Sequence, residues 1–131
     1  MEPAQSAALV DALAGYDRLV EVGIGRRTDV AAGLVAAGAT VTATDVVDRS
    51  VPDGVRFVRD DVTAPDPSVY VDADAVYALN LPPELHRPTW DVARESDAAF
   101  LFTTLGMDPP TVPVERRTLP VETLFVAGGR G

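Results

Sequence analysis

The 131-residue chain is 47% hydrophobic and sets 20 acidic against 11 basic residues, a net charge of −9. That length predicts one domain, residues 1–131, with one core. The lack of cysteine excludes disulfide frameworks, thiolate metal sites and cysteine nucleophiles, and no apolar run approaches the ~18 residues of a membrane helix. Every basic residue is arginine, and apart from the pairs Arg26-Arg27 and Arg116-Arg117 they are scattered. Phosphate backbones need clustered cations, so this distribution argues against a nucleic-acid partner. The opening Met1-Glu2-Pro3 has no basic stretch running into an apolar one, and a cytoplasmic, unexported chain is expected.

In chain order, residues 6–14 place Ala8, Leu9, Ala12 and Leu13 on one helical face, with Ser6 as N-cap and Gly15 as terminator. Leu19-Val20-Glu21-Val22 reads as a short buried strand running into Gly23-Ile24-Gly25. Thr28 is placed to cap the next helix, Asp29 sits in its first turn, and Gly38 stops it. Thr40–Thr44 is a β-branched strand ending on Asp45; Val55–Arg59 is a third, ending on Asp60-Asp61. Residues 75–79 form a fourth, ending on Asn80, and 98–102 a fifth.

Continuous apolar strands of this kind are covered on both faces, which favours a parallel sheet. The predicted class is therefore α/β: a minimal Rossmann-like, doubly wound, mostly parallel sheet. Residues 115–119 and 123–127, separated by Pro120-Val121-Glu122, are expected to add an antiparallel pair at its C-terminal edge. The links 46–54 and 62–74 are short for parallel crossovers, with room for one helical turn each or none.

In such sheets ligands bind beyond the carboxyl ends of the strands. Gly23 and Gly25 let the backbone turn sharply and let a ligand lie against it, and the helix that follows offers free N–H groups. Asp45, 20 residues past Gly25, suits two ribose hydroxyls, and Asp61 is placed to reach a base edge. Glycines and aspartates at strand ends also occur as plain turns and caps, and the residues alone leave both readings open. His86 is expected at the surface beside Arg87-Pro88, and Trp90 in the core with Val92 and Ala93.

Glu21-Val22-Gly23-Ile24-Gly25 resembles the first motif of class I S-adenosylmethionine-dependent methyltransferases. Asp45 falls on that family's ribose-binding acid, Phe57–Val62 resembles its third motif with Asp61 at the adenine-contacting acid, and Asp74–Leu85 resembles its fourth. Val20–Arg27, the Tyr77–Leu85 segment and the short length together resemble a small archaeal group, uncharacterised protein family 0146. The lysine-free composition with 14 aspartates resembles that of proteins of a salt-loving archaeon, a lysine-free GC-rich bacterial chain being the alternative.

The resemblance implies S-adenosylmethionine as cofactor, with Glu21, Gly23, Gly25, Asp45, Asp61 and Asn80 at its site. It implies either a minimal methyltransferase or a non-catalytic nucleotide-binding or regulatory subunit that keeps the pocket. Arg27 stands where the usual third glycine would be, near the ligand or over the helix start. Asn80-Leu81-Pro82-Pro83 departs by one inserted leucine from the Asn-Pro-Pro-aromatic motif of amino-methylating enzymes. The chain also lacks the insertions that build an acceptor pocket, so a homodimer or a protein partner is expected to complete one. A nicotinamide cofactor is the third reading, disfavoured because position 28 is Thr where close helix packing needs Gly or Ala.

Overall fold

The computed structural model describes residues 3–120 and 122–128, with no side-chain description for Pro3, Ala4 and Gln5; Met1, Glu2 and Val121 of the segments read above lie outside these. Seven strands form one sheet: β1 (Arg18–Glu21), β2 (Thr40–Asp45), β3 (Arg56–Arg59), β4 (Ala75–Ala78), β5 (Ala99–Phe102), β6 (Val114–Thr118) and β7 (Thr123–Ala127). Their order is β3-β2-β1-β4-β5-β7-β6. The first five are parallel, and β7 runs antiparallel between β5 and β6. The expected parallel sheet with an antiparallel C-terminal edge is what the chain builds.

Alternation along the strands divides the core into two layers. Leu19 of β1, Tyr77 of β4 and Leu101 of β5 meet Leu9 and Leu13 of helix α1 (Pro3–Leu13) and Val30, Ala31 and Leu34 of α2 (Asp29–Ala36). Val20, Val76, Phe100 and Phe102 face the other way, onto Trp90, Val92 and Ala93 of α3 (His86–Glu95). All four residues of β4 are buried, as the unbroken apolar pattern requires of a central strand. The link from β2 to β3 carries no helix, and that from β3 to β4 only a 3-10 turn at Pro67–Val69, whose first N–H groups are capped by Asp66 through Ser68 N–H (3.0 Å). Among the described residues no helix is long and apolar enough to cross a membrane.

Two local expectations are corrected. Ser6 does not cap α1, which begins at Pro3; its hydroxyl instead donates to the Asp29 carboxylate at the start of α2. Thr28 occupies the N-cap position of α2 but makes no side-chain cap hydrogen bond.

α1 and α2 approach so closely that a Cβ on Gly33 would lie 2.6 Å from Val10 Cγ2. A glycine inside a helix costs about 1 kcal/mol relative to alanine, so close packing is what this one serves. Gly33→Ala should destabilise the fold by ~1–2 kcal/mol, overpacking outweighing the gain in propensity. In a Val10→Ala background the same change should cost less, or stabilise. Chemical denaturation of the four proteins checks it, and equal costs in both backgrounds would refute the contact.

Candidate functional site

β1 lies between β2 and β4, and the chain leaves it by a turn stitched to both neighbours. Val22 N–H donates to the Tyr77 carbonyl (2.9 Å) and Ile24 N–H to the Thr44 carbonyl (3.0 Å). Gly23 and Gly25 turn in the left-handed region, φ +68° and +56°, which side-chain-bearing residues enter only with strain. A Cβ on Gly23 would meet nothing within 4 Å, so the backbone there faces open space.

Asp45, the last residue of β2, closes the turn. Its Oδ2 accepts from Gly25 N–H (2.9 Å), its Oδ1 from Val47 N–H (3.2 Å), and Arg49 Nε stands 3.3 Å away. Burial pushes this carboxyl up, but the two N–H donors and Arg49 outweigh it and hold it below the usual range. The fold thus brings Gly25 and Asp45, chosen separately from the sequence, into direct contact.

Glu21 sits behind the turn, 1% exposed, on the sheet face that meets α1 and α2. Its register partner on β4 is Tyr77, whose hydroxyl donates to Glu21 Oε1 (2.6 Å). Burial pushes the Glu21 carboxyl up to about 8, against the lowering pull of the Tyr77 hydrogen bond and of Arg27. Tyr77 lies within the Asp74–Leu85 segment but has no role of its own in the sequence reading; its signal is a hydroxyl in an otherwise apolar central strand.

Asp61 is exposed and curls into its own loop, accepting from Thr63 N–H (2.9 Å) and Thr63 Oγ1 (2.7 Å), bonds that hold its carboxyl low. Asp60 points elsewhere, taking the Tyr70 hydroxyl (2.9 Å) and Asp66 N–H (3.0 Å). Asn80 adopts φ +53° and gives its N–H to Thr103 Oγ1 (2.8 Å). It lines a cavity of about 640 Å³ beyond β4 and β5, walled by the 104–110 loop, Arg116, Glu122, Thr123 and Phe125 and not by the glycine turn.

Arg27 connects the two regions. Its Nε lies 3.7 Å from Asp29 Oδ1 and its Nη2 4.0 Å from Glu122 Oε2, with only 16% and 14% of the Arg27 and Glu122 side chains exposed. Glu122, which no sequence pattern singled out, thereby joins the glycine turn to the wall of the cavity beside Asn80.

His86 is a correction: it is wholly buried, not at the surface. Nδ1 accepts from Thr111 N–H (3.1 Å), which leaves the ring proton on Nε2, 2.9 Å from the Leu81 carbonyl. The imidazole so clamps the segments following β4 and β5 together against Phe102, with ring centroids 4.6 Å apart. Trp90 is core, 8% exposed, with Arg94 4.1 Å above its ring.

Folding raises the Glu21 carboxyl, so between about 4.5 and about 8 the folded chain holds a proton that the unfolded chain has lost. This contribution to stability is complete below 4.5 and is lost as pH rises to about 8, at up to ~1.4 kcal/mol per pH unit. Glu21→Gln keeps an acceptor for Tyr77 and should flatten that part of the profile. Urea unfolding of both proteins from pH 5 to 9 tests this; parallel profiles would show that Glu21 stays ionised.

Comparison with known proteins places the fold. The chain is 17% identical to an RNA methyltransferase from Salinibacter ruber, solved with S-adenosyl-L-homocysteine, at TM-score 0.68 over 97% of this chain and 91% of that one. It is 18% identical to a TehB-like SAM-dependent methyltransferase from Corynebacterium glutamicum, at TM-score 0.64 over 95% and 86%. At these identities the shared feature is the methyltransferase-type Rossmann fold. Among sequences, a UPF0146 protein of Halobacterium salinarum is 56% identical over 124 residues, 94% of this chain and 96% of its own. One from Archaeoglobus fulgidus is 47% identical over 91 residues, 70% of each chain. The family model described as "Uncharacterised protein family (UPF0146)" matches residues 3–128, and the chain belongs to that family.

Proposed function

We propose that this chain binds S-adenosylmethionine at the glycine turn and works as a minimal methyltransferase, in the cytoplasm of a salt-loving archaeon. The observation that carries the reading is the Asp45–Gly25 contact: a carboxylate at the end of β2, bonded to the turn at the point where β1 hands the chain to α2. A carboxylate there has lone pairs left for two ribose hydroxyls once Arg49 swings aside. The residues fit the cofactor on two further counts. The space over Gly23 is open, and Arg27, Asp29 and Glu122 hold buried polar atoms that lack hydrogen-bond partners among the described residues. Asp61, at the end of β3, would reach the base by leaving its turn with Thr63.

When bound, S-adenosylmethionine supplies a sulfonium methyl group, whose transfer rests on alignment and a dry pocket more than on a strong base. In this reading the acceptor enters the cavity beside Asn80. His86 holds the Leu81 and Thr111 segments that frame it, while the exposed Leu105 and Met107 stand at its rim.

A second reading, a binding or regulatory subunit that keeps the pocket, is favoured by Arg27, which sets a guanidinium where methyltransferases of this fold carry a glycine. Incubation with a labelled methyl donor and cell extract separates the two. Label in a product, lost with Asn80→Ala, supports the enzyme, and cofactor binding without transfer supports the subunit.

Binding itself is tested by calorimetric titration with S-adenosylmethionine, S-adenosylhomocysteine, NAD and NADP in concentrated salt. The S-adenosyl compounds should bind, and Asp45→Ala should weaken them about a hundredfold, the worth of two charge-assisted hydrogen bonds. Heat with none of the four would overturn the reading, and heat with NAD or NADP alone would replace it.

A further inference from the structure

Four charged-group atoms collect at one spot between α2 and the turn that leads into β7: Arg27 Nε and Nη2, Asp29 Oδ1 and Glu122 Oε2. All four are buried, and none has a hydrogen-bond partner among the described residues. Buried polar atoms in folded proteins are normally paired, and those left unpaired carry a desolvation penalty. Apart from the Ser6 hydroxyl on Asp29 Oδ2, the charges meet only at long range, 3.7 Å from Arg27 to Asp29 and 4.0 Å from Arg27 to Glu122. The separations are too wide for hydrogen bonds.

The charge count defines the complement. One guanidinium faces two carboxylates, Asp29 and Glu122. The guanidinium offers parallel N–H donors, the geometry that a carboxylate takes up in a fork. The surplus carboxylate calls for a cation with several donors. A group that carries both within a few ångströms is the zwitterionic head of an α-amino acid. A phosphate, bringing only negative charge, would meet a net negative cluster.

We propose that Arg27 and Glu122 form a receptor for an α-amino acid head group, the carboxylate taken by Arg27 and the ammonium by Glu122 with Asp29 behind it. The assignment rests on the reading of the glycine turn as an S-adenosylmethionine site, and it names the part of that ligand which Arg27 recognises. The guanidinium at the third-glycine position then does not block the pocket; it replaces backbone contact with side-chain contact to the same end of the ligand. Glu122 comes from the C-terminal hairpin, so the last two strands belong to the cofactor site as well as to the sheet. Entry of the head group widens the Arg27–Glu122 pair and supplies the missing hydrogen bonds on both sides.

The probe pair is S-adenosylhomocysteine and 5′-methylthioadenosine, which share adenosine and thioether but differ in the amino acid end. By calorimetry the wild-type chain should bind the homocysteine compound more tightly by about tenfold or more, as a bidentate charged contact implies. In Arg27→Gln and in Glu122→Gln that preference should shrink towards unity, while methylthioadenosine affinity stays within about threefold. Decarboxylated S-adenosylmethionine, titrated against the unaltered chain, probes the Arg27 contact without any substitution and should bind about tenfold more weakly than S-adenosylmethionine. Equal affinities in the wild type, or a preference that survives both substitutions, overturns the receptor and leaves the adenosine site standing. Binding of neither probe overturns both.

Discussion

The hydrogen bond from Gly25 N–H to the Asp45 carboxylate fixes the geometry on which the rest of this chain depends. β1 is an interior strand of a sheet whose chain departs to one side through α2 and β2, then returns to the other side at β4. At that reversal the backbone must leave β1 abruptly, and two left-handed glycines permit it. A turn with such freedom needs an external tether, because glycine loses more conformational entropy on ordering than any other residue. Asp45 supplies one from β2, and the bonds to the Thr44 and Tyr77 carbonyls supply two more. The same atoms that stop the turn from wandering therefore also stand at its open side, and structural tether and candidate ligand contact coincide in Asp45.

Three carboxylates that the sequence assigns to one site end up in three different environments. Glu21 is sealed behind the turn against a tyrosine, and burial pushes its carboxyl up. Asp45 lies at the boundary, where backbone donors and Arg49 keep it ionised. Asp61 is in water, held low by a threonine two residues along. The difference follows from position in the sheet: residue 21 points to the helix-covered face of an interior strand, whereas 45 is the last residue of β2 and 61 lies two residues past the end of β3, strands nearer the edge. Arg27 turns instead to the two carboxylates beside it, Asp29 and Glu122.

The fold was legible because its signals are local. The apolar runs, the glycine turn and the strand-terminal polar residues each report on their own few residues, and the two short links announced that the crossovers would be nearly bare. Gly25 and Asp45 were each legible, as turn and strand-end residues, but the hydrogen bond between them was not. What escaped depends on neighbours distant in sequence. His86 follows two prolines and precedes Arg87-Pro88, a surface-like setting, yet it is buried because Thr111, 25 residues on, and the Leu81 carbonyl satisfy both ring nitrogens. Ser6 looked like a cap because caps are read locally, but its partner Asp29 is 23 residues away. Glu122 offered no pattern at all: its place beside Arg27 arises only once β7 has inserted between β5 and β6.

That insertion also explains how a chain of 131 residues furnishes the ground beyond β5. A sheet ending at β5 would leave an apolar strand with unpaired N–H and carbonyl groups at the edge, prone to pairing with other chains. The hairpin covers it with β7, whose Leu124 and Phe125 continue both core layers, and leaves outermost β6, where Glu115, Arg116, Arg117 and Thr118 are exposed. Charged side chains on an outer strand discourage further pairing. Because β7 runs antiparallel to β5, the connection from β6 to β7 falls at the carboxyl end of the sheet, the end where the glycine turn opens. The topology that protects the edge is thus the one that carries Glu122 to Arg27, so the C-terminal pair joins the candidate site through the direction of one strand.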